Sequence, residues 1–243
     1  MDLVEAASAN GNRHPWELSR RDAVLGILAG RGSLRDVADI GAGDRFFATS
    51  LRAFAPDAIY AVDVHYEETG MMDGVHVVRD IADLPDAEFD CIVMMDVLEH
   101  VEDESTLLPE VRRKLRPGGT VLVTVPAFQR LFTAHDRYLR HFRRYRRRHL
   151  RAVLERHGLR VEESFYFYAT LFAARALEAA TSRVVGEFEP RGIGDWRFGL
   201  RHPLTVLVRA VLDVDYRVCR ALTRLGLAVP GLSLCAVCKN TSA

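Results

Sequence analysis

Along the first two thirds of the chain, short apolar runs alternate with helical patterns, which predicts βαβ units and a mostly parallel sheet. The runs predict strands at 36–40 (DVADI), 58–64 (AIYAVDV), 74–78 (GVHVV), 89–95 (FDCIVMM), 120–126 (TVLVTVP) and 159–169 (LRVEESFYFYA), with a last one at 232–238 (LSLCAVC). After the fourth strand, Leu107, Leu108, Val111 and Leu115 share one helical face, and the helix is expected to stop at RPGG. A second helix is expected from about Arg146 to His157, with Leu150, Val153 and Leu154 inward and Gly158 as its stop. HPWELSRRDAVLGIL (14–28) predicts a helix near the N-terminus.

The rhythm changes over 170–230, where two long helical patterns replace the strands. The second places Leu204, Leu207, Val211, Val214, Val218, Leu222 and Leu225 three or four apart, with Arg209, Asp213, Arg217, Arg220 and Arg224 off that stripe. Such a stripe is expected to cover a core. The alternatives are a lid, a homodimer seam or a peripheral membrane contact. The organisation expected is one domain over 1–243, with a helical cap at 1–32 and a helical insertion or lid at 170–230.

Composition narrows the picture. With 243 residues, 49% of them hydrophobic, the chain suits one well-cored domain. Zero net charge argues against nucleic acid as the partner. The start, MDLVEAASANGN, lacks the basic-then-apolar order of a signal peptide, and no uncharged apolar run reaches the ~18 residues of a membrane span. A cytoplasmic location is therefore expected. Cys235 and Cys238 form a lone CxxC without a second pair, so buried cysteines are expected rather than a metal site.

The candidate chemistry starts at VADIGAGDRFFATSL (37–51). A glycine turn lets backbone approach a ligand closely, and the helix start beyond it offers free N–H groups. Gly41 and Gly43 fit a dinucleotide GxGxxG pattern, but Phe46 stands at its third glycine, and a bulky ring there opposes a pyrophosphate on the helix. Asp63, twenty positions after Gly43, ends the second strand where a carboxylate can accept both hydroxyls of a nucleoside ribose. Asp80, in VVRDIADLP (77–85), can accept from an adenine amino group.

With FDCIVMMDVLEHVED (89–103) and LRPGGTVLVTVP (115–126) following in order, residues 36–168 resemble the class I S-adenosylmethionine-dependent methyltransferases. VPAFQRLFTAHDRYLRHFRRYRRR (125–148) and HPWELSRR (14–21) look like segments of a bacterial branch of that family. The resemblance implies a Rossmann-like, doubly wound α/β sheet of seven strands with the last antiparallel, and S-adenosylmethionine as cofactor. It implies that Asp39, Ile40, Gly41, Ala42 and Gly43 wrap the methionine end, with Asp39 near its ammonium. Asp63 would hold the ribose, Val64 would pack on the adenine, and Asp80 with Ile81 would bind its amino edge. Asp96 would border the methionine moiety and the substrate. The third glycine of the family's GxGxG is Arg45 here.

Methyl transfer from a sulfonium has an excellent leaving group, so the protein mainly aligns the acceptor and excludes water. A hydroxyl or amine acceptor is helped by a general base, for which His135 and His141 are the candidates. Asp136 or a later carboxylate could orient His135, while His100 is expected to cap or pack. The eight arginines of RYLRHFRRYRRRHLR (137–151) suit a phosphate or carboxylate, with RNA or an anionic membrane surface as rivals. A mixture is expected, Arg147, Arg148 and Arg151 on the solvated start of a helix and Arg143, Arg144 and Tyr145 at the site mouth. Trp16 and Arg20 are lid candidates. The expected function is methyl transfer to a small molecule, hydrophobic with an anionic group. The rivals are a cyclase or ligand-sensing scaffold that binds the same cofactor, and a nicotinamide-dependent oxidoreductase.

Overall fold

The computed structural model describes residues 13–32, 34–185, 196 and 198–241. Its strands are β1 (Asp36–Ile40), β2 (Ala58–Val62), β3 (Gly70–Met72), β4 (Val75–Val78), β5 (Phe89–Met95), β6 (Leu115–Pro126), β7 (Leu159–Phe167) and β8 (Ser233–Asn240). They form one sheet in the order β3-β4-β2-β1-β5-β6-β8-β7. From β4 to β6 all neighbours are parallel, and β8 runs antiparallel between β6 and β7. The order reverses beside β1, so a crevice opens at the carboxyl ends of β1, β2 and β5.

The sheet has eight strands rather than seven. The addition is β3, three residues that fold back on β4 through a turn at Asp73 and Gly74, both in the left-handed region. So short a run carries no periodic signal.

The helices are α1 (Pro15–Leu28), α2 (Phe46–Ser50), α3 (Leu108–Lys114), α4 (Ala134–Tyr138), α5 (Arg147–Arg156), α6 (Ala169–Val185) and α7 (Pro203–Arg224). The start of α1 is fixed by its sequence: His14 Nδ1 accepts from Trp16 N, the Glu17 carboxylate accepts from His14 N, and Pro15 takes the first turn. Two cores flank the sheet. One gathers α1, α2 and α7; the other gathers α3 and α5. Cys235 lies in the first and Cys238 in the second, because residues three apart on a strand face opposite ways. The CxxC spacing therefore brings no two thiols together, and burial pushes the Cys238 thiol up to about 12.

Two boundaries differ from expectation. RPGG does not end a helix: α3 stops at Lys114, and Leu115 already pairs with Phe89 as β6 begins. The Asn240 amide donates to the carbonyls of Leu115 (3.2 Å) and Arg116 (3.2 Å), which holds this segment extended. The larger difference is the rotation of α7. Leu207, Val211, Val214, Val218 and Leu225, predicted to cover a core, are 48–77% exposed, while Thr205, Leu212, Asp215, Tyr216 and Cys219 are buried. Polar anchors set this rotation. The Asp215 carboxylate accepts from Ala169 N (2.9 Å) and Thr170 N (2.7 Å) at the start of α6, and the Tyr216 hydroxyl donates to Ala23 O in α1. Among the described residues no helix is long and apolar enough to cross a membrane.

Candidate active site

β1 delivers Asp39 to the head of the crevice at 1% exposure. Beyond it the chain turns on Gly41 (φ 72°) and Gly43 (φ 52°), and Gly41 N and Ala42 N both donate to Val62 O. A Cβ on Gly41 would lie 2.6 Å from Val97 Cγ2, so glycine is required by space as well as by φ. Arg45 also adopts the left-handed conformation (φ 66°) that a glycine would take at no cost. Its guanidinium is directed to Met72 Sδ in β3, away from the loop.

At the start of α2, where a pyrophosphate would approach, stands the bulky Phe46 ring. The guanidiniums of Arg13 (4.1 Å) and Arg21 (5.0 Å) lie over that ring from the α1 side. Arg13 also pairs with Asp44, so α1 is clamped along the glycine loop.

Asp63 follows β2, which ends at Val62 rather than at 64. Its Oδ2 accepts from Gly43 N (2.9 Å) and its Oδ1 from His65 N (3.0 Å). Val64, beside it, is 66% exposed. Across the crevice Asp80 Oδ1 accepts from Ala82 N, which turns the chain after β4 and sets Ile81 next to it, half-buried. Asp96 ends β5 with φ 55°, its carboxylate held by Thr124 Oγ1 (3.3 Å) and by the guanidinium of Arg20. That guanidinium also lies 4.1 Å over the Trp16 ring. Two buried polar atoms in this region have no hydrogen-bond partner: Asp39 Oδ2 and the Tyr66 hydroxyl. Burial pushes the Asp39 carboxyl up to about 7, against the pull of Arg20 and the Ala48 N–H.

The far side of the crevice is built on Asp136. This buried carboxylate accepts from Arg144 Nε (2.7 Å) and Nη2 (3.0 Å), from Thr133 N (2.9 Å), and contacts His141 Nδ1 (3.1 Å). Burial alone would raise its pKa, but His141 and Arg144 together hold it well below the usual carboxylate range. Beside it lie the His100 ring, edge-on to His141 at 4.7 Å, and Glu99, fully buried with neither oxygen hydrogen-bonded. Burial pushes the Glu99 carboxyl up to about 8. His135 is half-buried, and burial, with the charge of Arg175 in α6, lowers it to about 4.

A family model described as "Methyltransferase domain" matches residues 14–164, more than half of the chain. The chain belongs to this methyltransferase family. A protein of Mycolicibacterium smegmatis named "probable S-adenosylmethionine-dependent methyltransferase" is 30% identical over 156 residues, which cover 60% of this chain and 60% of that one. One of the same description from Mycobacterium tuberculosis is 34% identical over 116 residues, 44% of this chain and 41% of that one. The match thus spans 60% or less of these relatives' own lengths. Among solved structures, the N-methyltransferase NodS of Bradyrhizobium japonicum, in complex with S-adenosylhomocysteine, superposes with a TM-score of 0.54 at 16% identity, covering 94% of this chain and 89% of that one. Phosphoethanolamine N-methyltransferase 2 of Haemonchus contortus gives 0.52 at 16%, covering 90% of this chain and 52% of that one. At such identities the likeness is one of fold.

In this member of the methyltransferase family the residues singled out in the sequence part into two groups. Asp39 to Gly43, Asp63, Val64, Asp80, Ile81 and Asp96 lie at or just beyond the carboxyl ends of β1, β2, β4 and β5, around one crevice. The arginine run does not form one anion patch. Arg143 pairs with Glu104 (2.6 Å) and Arg144 is buried on Asp136, while Arg148 and Arg151 lie exposed on the first turns of α5, as expected. Tyr145 is not at a mouth: it is fully buried, donating to Leu98 O (3.1 Å) and Glu104 Oε1 (2.8 Å). Arg144 and Tyr145 brace the walls of the site. Asp136 orients His141, five residues on, rather than the adjacent His135, because Arg140 in the left-handed region turns the chain back after α4. Glu99 and Tyr66 went unremarked in the sequence, since a single Glu in a turn and a single Tyr after a strand carry no spacing signal.

Proposed function

We propose that the protein transfers a methyl group from S-adenosylmethionine to a small-molecule acceptor, hydrophobic with an anionic group. The observation that carries this reading is Asp39, a buried carboxyl with one oxygen unpartnered, directed to a glycine turn that admits close backbone approach. An ammonium would give that oxygen its partner, and the Tyr66 hydroxyl offers a second unsatisfied atom close to the charges of Asp39 and Asp63. The donor set therefore fits an amino-acid end at Asp39 and a ribose at Asp63, with exposed Val64 available to an adenine face. Phe46 with its two guanidiniums stands where a pyrophosphate would approach.

S-adenosylmethionine supplies the electrophilic methyl group; the chain's own residues bind, orient and exclude water. Trp16 and Arg20 cap the crevice from α1, and Arg20 holds Asp96 at its floor. His135, neutral at pH 7, can accept a hydrogen bond or a proton from the acceptor. Phe128, stacked on Tyr166 and edge-on to Phe172, gives an aromatic cluster that supports an acceptor with apolar character.

Calorimetric titration with S-adenosylmethionine, S-adenosylhomocysteine and NADH tests the reading. Micromolar binding of the two sulfur ligands is expected, weakened roughly 10–100-fold by Asp63→Ala, the scale of a charge-assisted hydrogen-bond pair. Methylated product and S-adenosylhomocysteine in equal amounts would exclude a cyclase and a sensing scaffold. Binding of NADH alone would overturn the proposal.

A further inference from the structure

We propose that Glu99, His100 and His141 form a binding site for a divalent first-row transition-metal ion on the acceptor side of the crevice. One ligand atom from each residue lies within 4.8 Å of the other two. One ion at roughly 2.0–2.2 Å from nitrogen and carboxylate oxygen would draw these atoms to about 3.5 Å of one another. The set of two imidazoles and one carboxylate suits zinc, manganese, iron or cobalt rather than calcium or magnesium.

Three further observations converge on the same point. Glu99 is fully buried and neither of its oxygens has a hydrogen-bond partner, although buried carboxylates are ordinarily paired or bound to metal. The two guanidiniums whose charges reach it are engaged elsewhere, Arg20 on Asp96 and Arg144 on Asp136. Glu99 is thus the carboxyl of the three that has no cation of its own among the described residues. Finally, His141 Nδ1 is held 3.1 Å from the buried Asp136, which leaves Nε2 to face a ligand. A carboxylate behind a metal-binding imidazole fixes ring orientation and tautomer, and it raises ligand basicity.

The local backbone explains how the three meet. Glu99 and His100 lie on the single turn that follows β5, and Phe142 N donates to Glu99 O (2.7 Å), which draws His141 against that turn. Asp96, at the crevice floor, is three residues before Glu99. Three protein ligands leave a coordination position open. Taking the methyltransferase reading as its basis, an oxygen of the acceptor would occupy that position. His135 would then be the imidazole left to exchange a proton.

The test uses the full chain, stripped with a chelator and titrated with Co²⁺ alone, followed by visible absorption. A single saturable site is expected, with the intense d–d bands of a low-symmetry four- or five-coordinate ion, displaced by Zn²⁺. Glu99→Gln, which keeps the shape and removes the charge, should weaken Co²⁺ binding by about tenfold or more, and so should His141→Gln. Melting temperature and S-adenosylhomocysteine affinity, read on the same samples, report whether each variant is folded. Should His141→Gln fail to fold, Glu99→Gln decides alone. Absence of saturable Co²⁺ binding at micromolar concentrations, or equal binding in folded Glu99→Gln, would overturn the metal site. Because the titration contains no cofactor, that result would leave the methyltransferase reading standing.

Discussion

Asp39→Asn is expected to weaken S-adenosylhomocysteine binding by roughly 10–100-fold, the loss of a charge-assisted contact to an ammonium. The same substitution should raise the melting temperature of the ligand-free protein at pH 8. The folded-state pKa of Asp39, about 7, stands above the ordinary carboxyl value. For a raised acid, the folded state holds its proton longer than the unfolded chain does. Its stabilising contribution is therefore full below about pH 4 and lost as the pH rises through about 7. Above that, the native protein carries an ionised carboxylate at 1% exposure, which asparagine removes. The gain is on the order of 1–3 kcal/mol at pH 8 and shrinks toward pH 5. Thermal melts at both pH values, alongside calorimetry, check it. A variant that binds normally would show that the ammonium lies elsewhere. One that is destabilised at pH 8 would show that Asp39 is structural.

Asp136→Ala is expected to cost about 3–5 kcal/mol, since removing one partner leaves the other charge buried. Arg144 loses two hydrogen bonds at 4% side-chain exposure, and Thr133 N and His141 lose their acceptor. For a chain of this size that is a fall of roughly 6–20 °C in melting temperature. The pair Asp136→Ala with Arg144→Met should recover much of the loss, because it replaces an orphaned guanidinium by an apolar side chain. The depressed pKa of Asp136 has the opposite sign to that of Asp39. Its contribution is present above the ordinary carboxyl range and lost as the pH falls below it, so the single variant should also show less acid sensitivity than the native chain. A melting temperature within two degrees of native would show that solvent reaches Arg144.

Legibility in the sequence followed the physics of each element. β1, β5 and β6 announce themselves because both faces of a central strand are buried: CIVMM is wholly apolar, TVLVTV interrupts its apolar run only with threonine, and DVADI carries its aspartates at the start and near the end. Asp39, Asp63 and Asp96 were legible for a related reason: each is the polar residue at or just beyond the carboxyl end of such a run. α7 misled because its outward side is the more apolar one, and its rotation is set by Asp215 and Tyr216 through contacts with residues 46 and 193 positions distant. No periodicity encodes a hydrogen bond of that range. The arginine run misled differently. Charge density along the chain suggested an anion site around Arg143 and Arg144, yet these two are consumed by carboxylates at 104 and 136. The cluster of Glu99, His100 and His141 was hidden because His141 lies some forty residues from the other two and meets them through the bond from Phe142 N to Glu99 O and its ring contact with His100.

The poise of Asp39 makes ligand capture a protonic event. Near neutral pH part of the free population carries the proton on this raised carboxyl, whereas the ammonium-bound form needs the bare carboxylate. Binding should therefore eject a fraction of a proton per molecule of S-adenosylhomocysteine. The heat measured in Tris, whose ionisation enthalpy is large, should differ from that in phosphate by that same fraction of the difference between the two buffers. At pH 8, where the carboxyl is largely bare and the ligand still an ammonium, the two heats should converge.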